Sequence, residues 1–177
     1  MRVSLRELSP DDLDDEYFSW YTKEDDLLKT FTGSRRSFDT ESIVEDIKKG
    51  ADSGAWFYWV IIDNNSGAKI GNVKIGPIDF VNKTSDLVCF IGNRSFLGLG
   101  LAKEAISIGT RIAFDKYDIR RLHGGMYENN ISSIKAYVAA GWNIEGRLIG
   151  YYWVDGKPID RVLVSCLNEK FFRDLKD

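Results

Sequence analysis

The sequence predicts a single α/β domain over residues 1–177, with a mixed, mostly antiparallel sheet of about seven strands flanked by about four helices. Three observations carry this reading. Apolar runs with strand character recur at 2–8, 56–62, 69–75, 84–92, 120–127, 142–153 and 158–167, and four stretches with helical spacing fall between them. Turn chemistry punctuates the runs, notably Asp63-Asn-Asn-Ser-Gly67 and the hairpin signal Asp155-Gly156. One strand also passes directly through Gly98-Leu99-Gly100 into a long helical run, the order of a βα unit.

In chain order, Arg2-Val-Ser-Leu-Arg-Glu-Leu8 alternates and sets Val3 and Leu5 on one face of a strand. Ser9-Pro10-Asp11-Asp12 then opens a helix, with a capping residue, a first-turn proline and acids at its positive end. That helix brings Leu13, Tyr17, Phe18 and Trp20 to the core, although Trp20 and Tyr21 also suit the wall of a cleft. Thr30 to Asp39 reads as a loop, and Asp39-Thr-Glu-Ser42 begins a second helix that carries Ile43, Val44 and Ile47 and stops near Gly50. Two helices inserted between the first two strands are placed to act as a movable cover. Trp56 to Ile62 and Lys69 to Ile75 are the next strands, the latter ended by Gly76-Pro77. Asn82 to Ser85 turns the chain into Leu87–Ile91. Leu101, Ala105, Ile108 and Ile112 recur at helical spacing, and Arg120 to Tyr127 returns as a strand. Asn130 to Gly141 is a short helix with an asparagine cap and a terminating glycine, followed by the last two strands.

Composition narrows the function. A 44% hydrophobic and 13% aromatic content supplies a core, which excludes a disordered chain. The net charge of −3, with no basic cluster, argues against nucleic acid as partner. No run approaches a membrane span, and Met1-Arg2-Val3-Ser4 shows no signal-peptide core, so a cytoplasmic location is expected. Cys89 and Cys166 lie in strand-like runs and read as small buried residues of a reduced compartment. With His123 the single histidine, no zinc site of the His/Cys type is expected.

Gly98 and Gly100 allow a tight turn without a Cβ in the way, and a helix start offers free N–H groups and a favourable dipole to an anion. The loop is not a P-loop, since no Gly-Lys-Ser/Thr follows, and Lys103 occupies the third position of a G-x-G-x-x-G. From the loop alone, a plain βα connection and a phosphate cradle both remain open.

Two motifs in register go further. Gly98-x-Gly100 opens a helix after a strand, and Asn130-x-x-Ser133-x-x-x-Tyr137-x-x-x-Gly141-Trp142 follows a strand later. Together with the element order, they resemble the GCN5-related N-acetyltransferases over nearly the whole chain. Glu145-Gly146, Asp155-Gly156-Lys157 and Asp160 are similar to the branch with ribosomal-protein N-terminal, spermidine and amino-sugar acetyltransferases. The resemblance implies acetyl-CoA as cosubstrate, no metal, and a sheet whose central strands splay apart to admit pantetheine. Phe90 and Ile91 would pair with pantetheine, and the N–H groups of Leu97, Gly98, Leu99, Gly100, Leu101 and Ala102 would hold the pyrophosphate. Asn130 and Ser133 would contact the pantetheine arm or cap their helix. Ser95 stands where the family usually has Arg or Gln, a position that acts mainly through its backbone N–H, and the adjacent Arg94 is a substitute.

By position, Tyr137 would protonate the departing CoA sulfur, with Ser133 the alternative donor and Ile91 N–H a holder for the oxyanion. The related ribosomal-protein enzymes carry a glutamate where this chain has Tyr152, which argues against an identical mechanism. The general base stays open among Asp79, Asp86, His123 and a water chain. The runs 71–79 and 124–135 resemble members acting in nucleotide-sugar pathways. A nucleotide-linked amino sugar is therefore the first acceptor, ahead of a protein N-terminus or lysine, a polyamine or an aminoglycoside. A CoA-binding module without catalysis is the alternative of a different class. Pairing of two copies through the last strands would give a homodimer.

Overall fold

The computed structural model describes residues 1–21 and 39–173. Seven strands make one sheet in the order β1-β2-β3-β4-β5-β7-β6. They are β1 (Val3–Glu7), β2 (Phe57–Asp63), β3 (Lys69–Asp79), β4 (Thr84–Ile91), β5 (Arg121–Tyr127), β6 (Asn143–Val154) and β7 (Lys157–Leu167). Every neighbouring pair is antiparallel except β4 and β5, which run parallel. Four helices accompany the sheet among the described residues: α1 (Asp15–Ser19), α2 (Thr40–Ser53), α3 (Leu101–Lys116) and α4 (Ile131–Ala139). None is long and apolar enough to cross a membrane. The loop expected from Thr30 falls, up to residue 38, outside the described residues.

Three elements differ from expectation, each for a local reason. The first helix is broken: Pro10–Asp12 is a 3-10 turn, and α1 begins only after Asp14, whose side chain accepts the Tyr17 N–H. Asp12 does not greet a helix dipole. It is buried and accepts two hydrogen bonds from the Arg6 guanidinium and one each from the N–H and hydroxyl of Ser9. Gly50 lies inside α2, which ends instead at Gly54 in the left-handed region. Glycine is needed at 50 because the Trp56 indole occupies the space of a Cβ there. β3 runs past Gly76-Pro77 to Asp79, with the β3–β4 register shifting between Ile75 and Ile78.

The two faces of the sheet differ. On one, Val73, Ile75, Leu87, Leu122 and Val164 pack against Leu101, Ala105, Ile106 and Ala113 of α3 and Tyr137 of α4. The Trp142 indole N–H donates to Thr110 Oγ1 at 3.1 Å and ties the end of α4 to α3. On the other face Phe90 packs with Tyr17, Trp20 and Ile43, so α1 and α2 lie opposite α3 and α4. Trp20 fills the space beside Gly92, and Asn72 donates to the Tyr17 and Tyr21 hydroxyls at 3.2 and 2.6 Å. Trp20 and Tyr21 thus dock α1 to the sheet.

Candidate active site

β4 and β5 pair only at Thr84↔Arg121, Ser85↔Leu122 and Asp86↔His123. Beyond that seam β4 continues to Ile91 without a β5 partner, while β5 stays paired with β7 as far as Tyr127. The sheet therefore opens between its two central strands. Into the opening α4 directs Tyr137, whose hydroxyl donates to the Leu87 carbonyl at 2.7 Å. A side chain supplies there the bond that a continued β5 would otherwise make. Trp142 meets the Tyr137 ring edge-on, with centroids 4.9 Å apart.

A cleft of about 460 Å³ runs from this point along β4 to the start of α3. Phe90, Ile91, Leu97, Gly98, Gly100, Leu101, Ala102, Asn130, Ser133 and Tyr137 line it. Leu99 does not: it turns outward, and its carbonyl accepts from Arg2, whose guanidinium also holds Glu104 of α3. The loop is thereby pinned from behind. Gly98 and Gly100 have φ of 73° and 74°, a region costly for any residue with a Cβ. Gly100 is the N-cap of α3 and offers no side chain, so the first N–H groups of that helix are left for another acceptor. The Leu97 N–H is already given to the Arg94 carbonyl. Ser95, outside the lining, gives its N–H to the Asn93 side chain at 3.1 Å.

The cleft also contains groups the sequence reading passed over. Lys103, in the first turn of α3, and Lys135 of α4 both line it, as do Cys89, Phe96, Ile106, Ser132, Ala136 and Ala139. A signal for Lys103 did exist, because a cation in the first turn opposes the helix dipole and is favourable only beside an anion. Asn130 performs the cap, its side-chain oxygen accepting from the N–H of Ser133 at 3.2 Å and the hydroxyl of Ser132 at 3.1 Å. Burial raises the Tyr137 phenol above its ordinary value and pushes the Cys89 thiol up to about 12. Both stay protonated at neutral pH, and Cys89 is not a thiolate nucleophile.

Of the three candidate bases, the structure does not bring Asp79 to the cleft. Its carboxylate closes the turn after β3, accepting the N–H groups of Val81 and Asn82 and the Asn82 amide, and these bonds lower its pKa. Asp86 and His123 do meet, register partners at the last paired position before the opening, with Oδ1 and Nε2 3.6 Å apart. They lie on the face opposite Leu87 and Tyr137. Burial raises the Asp86 carboxyl, against the opposing pull of His123, Arg161 and Lys74.

A family model described as the acetyltransferase (GNAT) domain matches residues 2–143. The chain belongs to this family. Acetyl-CoA is accordingly the cosubstrate of this acetyltransferase. Among solved structures, it is similar to the spermidine N-acetyltransferase of Vibrio cholerae in complex with CoA and spermine, at 19% identity and TM-score 0.81, covering 97% of this chain and 98% of that one. The ribosomal-protein-S5-alanine acetyltransferase of Vibrio fischeri shares 20% identity at TM-score 0.78, over 96% of this chain and 94% of that one. A dodecameric form of the Vibrio cholerae enzyme matches at 18% identity and TM-score 0.74, over 98% of each chain. Among curated proteins there is no match. These likenesses extend through β6 and β7, beyond the family match, and establish the splayed seven-stranded fold for the acetyltransferase as a whole. The residues present also suit the cosubstrate. An extended arm would find an unpaired strand edge, and phosphates would find an uncapped helix start with Lys103 and Lys135 beside it. Among the described residues no group of three or more acids, histidines or cysteines could hold a metal.

Proposed function

We propose that this acetyltransferase transfers the acetyl group of acetyl-CoA to a primary amine of a small molecule, with a nucleotide-linked amino sugar as the acceptor class. The observation that carries the reaction is the Tyr137 phenol at the mouth of the β4–β5 opening, with the Asp86–His123 pair on the other face of the same seam. Phe90 and Ile91 pair with the pantetheine arm. The N–H groups at the start of α3, with Lys103 and Lys135, take the phosphates. A neutral amine arriving from the Asp86 side attacks the thioester carbon, the C–N bond forms and the C–S bond breaks. The nitrogen's proton passes to the Asp86–His123 pair, directly or through water, and the sulfur takes the Tyr137 proton.

Acid and base thus stand on opposite sides of the reacting carbonyl. Burial raises the Tyr137 phenol, and the same desolvation disfavours a full thiolate in the dry cleft, so a proton donated as the C–S bond breaks keeps the leaving sulfur from carrying the whole charge. Ser133, part-buried in the cleft, is the alternative donor. With Cys89 protonated, a direct transfer needs no acyl-enzyme.

For the acceptor, Trp56 is consumed by packing against α2, whereas Tyr151 and Trp153 are 54% and 62% exposed beside Tyr152 and can stack on a sugar or base. A polyamine is the second reading, from the fold likeness to the spermidine enzyme. A polycation asks for converging carboxylates, yet Asp12, Asp14 and Asp46 are held by Arg6, Lys69 and Lys74. Thiol release from acetyl-CoA across nucleotide-linked amino sugars, polyamines, aminoglycosides and N-terminal peptides tests the choice. Turnover confined to spermidine and spermine would overturn the amino-sugar reading, and silence with CoA still bound would leave a non-catalytic module. We also propose that two copies pair through β6, an edge strand exposing Ile144, Leu148 and Ile149; a monomer by light scattering would refute this.

A further inference from the structure

The face that carries Asp86 and His123 also bears Arg161, to which the reaction above gives no task. It stands on β7 opposite Tyr127 of β5, and its side chain runs back diagonally over Gly125. A Cβ at Gly125 would lie 2.6 Å from Cζ and Nη2 of Arg161, and closer still to Nε. Only glycine lets the guanidinium lie flat on the strand. The Tyr151 ring holds it by a cation–π contact, with Cζ 5.2 Å from the centroid.

Among the described residues Arg161 meets no carboxylate, a lack it shares with Arg111 and Arg120, which bond instead to the Met1 sulfur and the Asn82 carbonyl. Arg2, Arg6, Arg121 and Arg147 each hold a carboxylate. Lys74, on the same face, is held by Asp46 at 2.8 Å. Arg161 Nε is enclosed and, among the described residues, has no hydrogen-bond partner. An enclosed charged donor without a partner is among the costlier arrangements in a fold. Here a glycine makes room for it and an aromatic ring orients it. Gly125, over which it lies, is two residues along β5 from His123, the partner of Asp86, so the guanidinium stands beside the seam where the amine is proposed to arrive.

We propose that Arg161 anchors an oxyanion of the acceptor, a phosphate or a carboxylate, and so selects amines that carry negative charge over polycations. The planar guanidinium suits both groups, since two parallel N–H donors match two oxygens. An ammonium-rich acceptor meets like charge at the same place. This inference rests on the reading that the acceptor approaches the thioester from the Asp86 face.

The test uses two readouts. In the first, thiol release is compared for glucosamine 6-phosphate and glucosamine, which differ only in the anion, and for spermidine, in the parent, Arg161→Gln, Arg161→Lys and Gly125→Ala, each checked by thermal melting. The parent is expected to favour the phosphorylated amine by at least about tenfold in kcat/KM. Arg161→Gln erases this preference through KM and leaves the KM for acetyl-CoA unchanged. Arg161→Lys recovers part of it, and Gly125→Ala loses it with the charge still present. A preference that survives Arg161→Gln, an equal loss for both sugars, or a parent preference for spermidine overturns the proposal. In the second, CoA-saturated protein is titrated calorimetrically with inorganic pyrophosphate and with succinate. Binding to the parent that weakens at least about tenfold in Arg161→Gln supports the anchor, and the better titrant tells phosphate from carboxylate. No binding of either, or equal binding in the variant, overturns it. Should every amine fail while CoA binds, the transferase reading falls, and this titration still decides Arg161.

Discussion

Tyr137→Phe separates the two tasks of one hydroxyl. In the resting enzyme that group satisfies the Leu87 carbonyl at 2.7 Å in a buried site; in the reaction it is proposed to supply the proton to sulfur. The substitution keeps the ring and its edge contact with Trp142, so packing is little changed. The lost bond leaves a buried acceptor unpaired, a cost of about 1–3 kcal/mol. For a chain of this length each kcal/mol lowers the melting temperature by about 2–4 °C. General acid catalysis contributes about 10²- to 10⁴-fold, so kcat is expected to fall by at least about a hundredfold with little change in the KM for acetyl-CoA. Steady-state thiol release read beside a thermal melt resolves the two effects. A variant that melts lower as expected, yet turns over within roughly threefold of the parent, a difference of well under 1 kcal/mol in the barrier, refutes Tyr137 as the acid. Ser133 or water would then take its place.

Three other outcomes follow from named geometry. Gly100→Ala puts a Cβ on a residue at φ 74° with only an ordinary contact beside it, Arg2 Nη2 at 3.7 Å, so strain and not collision dominates; about 1–2 kcal/mol is lost and the KM for acetyl-CoA rises, as measured by melting and kinetics. Gly71→Ala is far more harmful, because the new Cβ would overlap the Phe90 carbonyl and lie 2.9 Å from Ile91 Cα; denaturant titration should show a loss of more than about 3 kcal/mol or failure to fold. The Asp12 carboxyl, held down to about 2 chiefly by the Arg6 hydrogen bonds and further by Ser9, stabilises the fold above the unfolded carboxylate value of about 3.9 and loses that contribution as pH falls toward 2. Asp12→Asn should therefore be about 1–3 kcal/mol less stable at neutral pH and converge with the parent near pH 2, read from urea midpoints across that range; a constant difference would refute the assignment.

Features fixed by backbone demands were legible in the sequence. Gly98 and Gly100 announce positive φ, Asn130 and Gly141 bracket α4, and Asp155-Gly156 sits with both residues at positive φ in the β6–β7 hairpin. Seven strands and four helices follow from spacing, and their order is that of a known fold. What stayed hidden depends on register between distant segments. Asp86 and His123 are 37 positions apart in the chain and meet only because three parallel pairs align them; Gly125 and Arg161 meet through the β5–β7 ladder. Asp79 shows a different limit, since an aspartate that closes a turn and one that acts as a base are the same letter. At Ser9–Asp12 the capping pattern is visible and Ser9 does bond Asp12, but nothing in it shows that Arg6, six residues away, holds the same carboxylate.

The unpaired stretch of β4 also bears on how the molecule avoids its own copies. An open strand edge is a template for any extended chain, and sheets normally present theirs at the rim. Here, besides the rims at β1 and β6, a further edge is interior, walled by β5 and floored by α3 and α4, with the Tyr137 hydroxyl occupying its first acceptor. A polypeptide strand would have to enter lengthwise past Tyr137, whereas a slender chain with amide groups spaced along it can be laid in from the open end near α3. On the proposed binding mode, the fold keeps a hydrogen-bonding surface in permanent readiness for its cosubstrate while withholding it from aggregation.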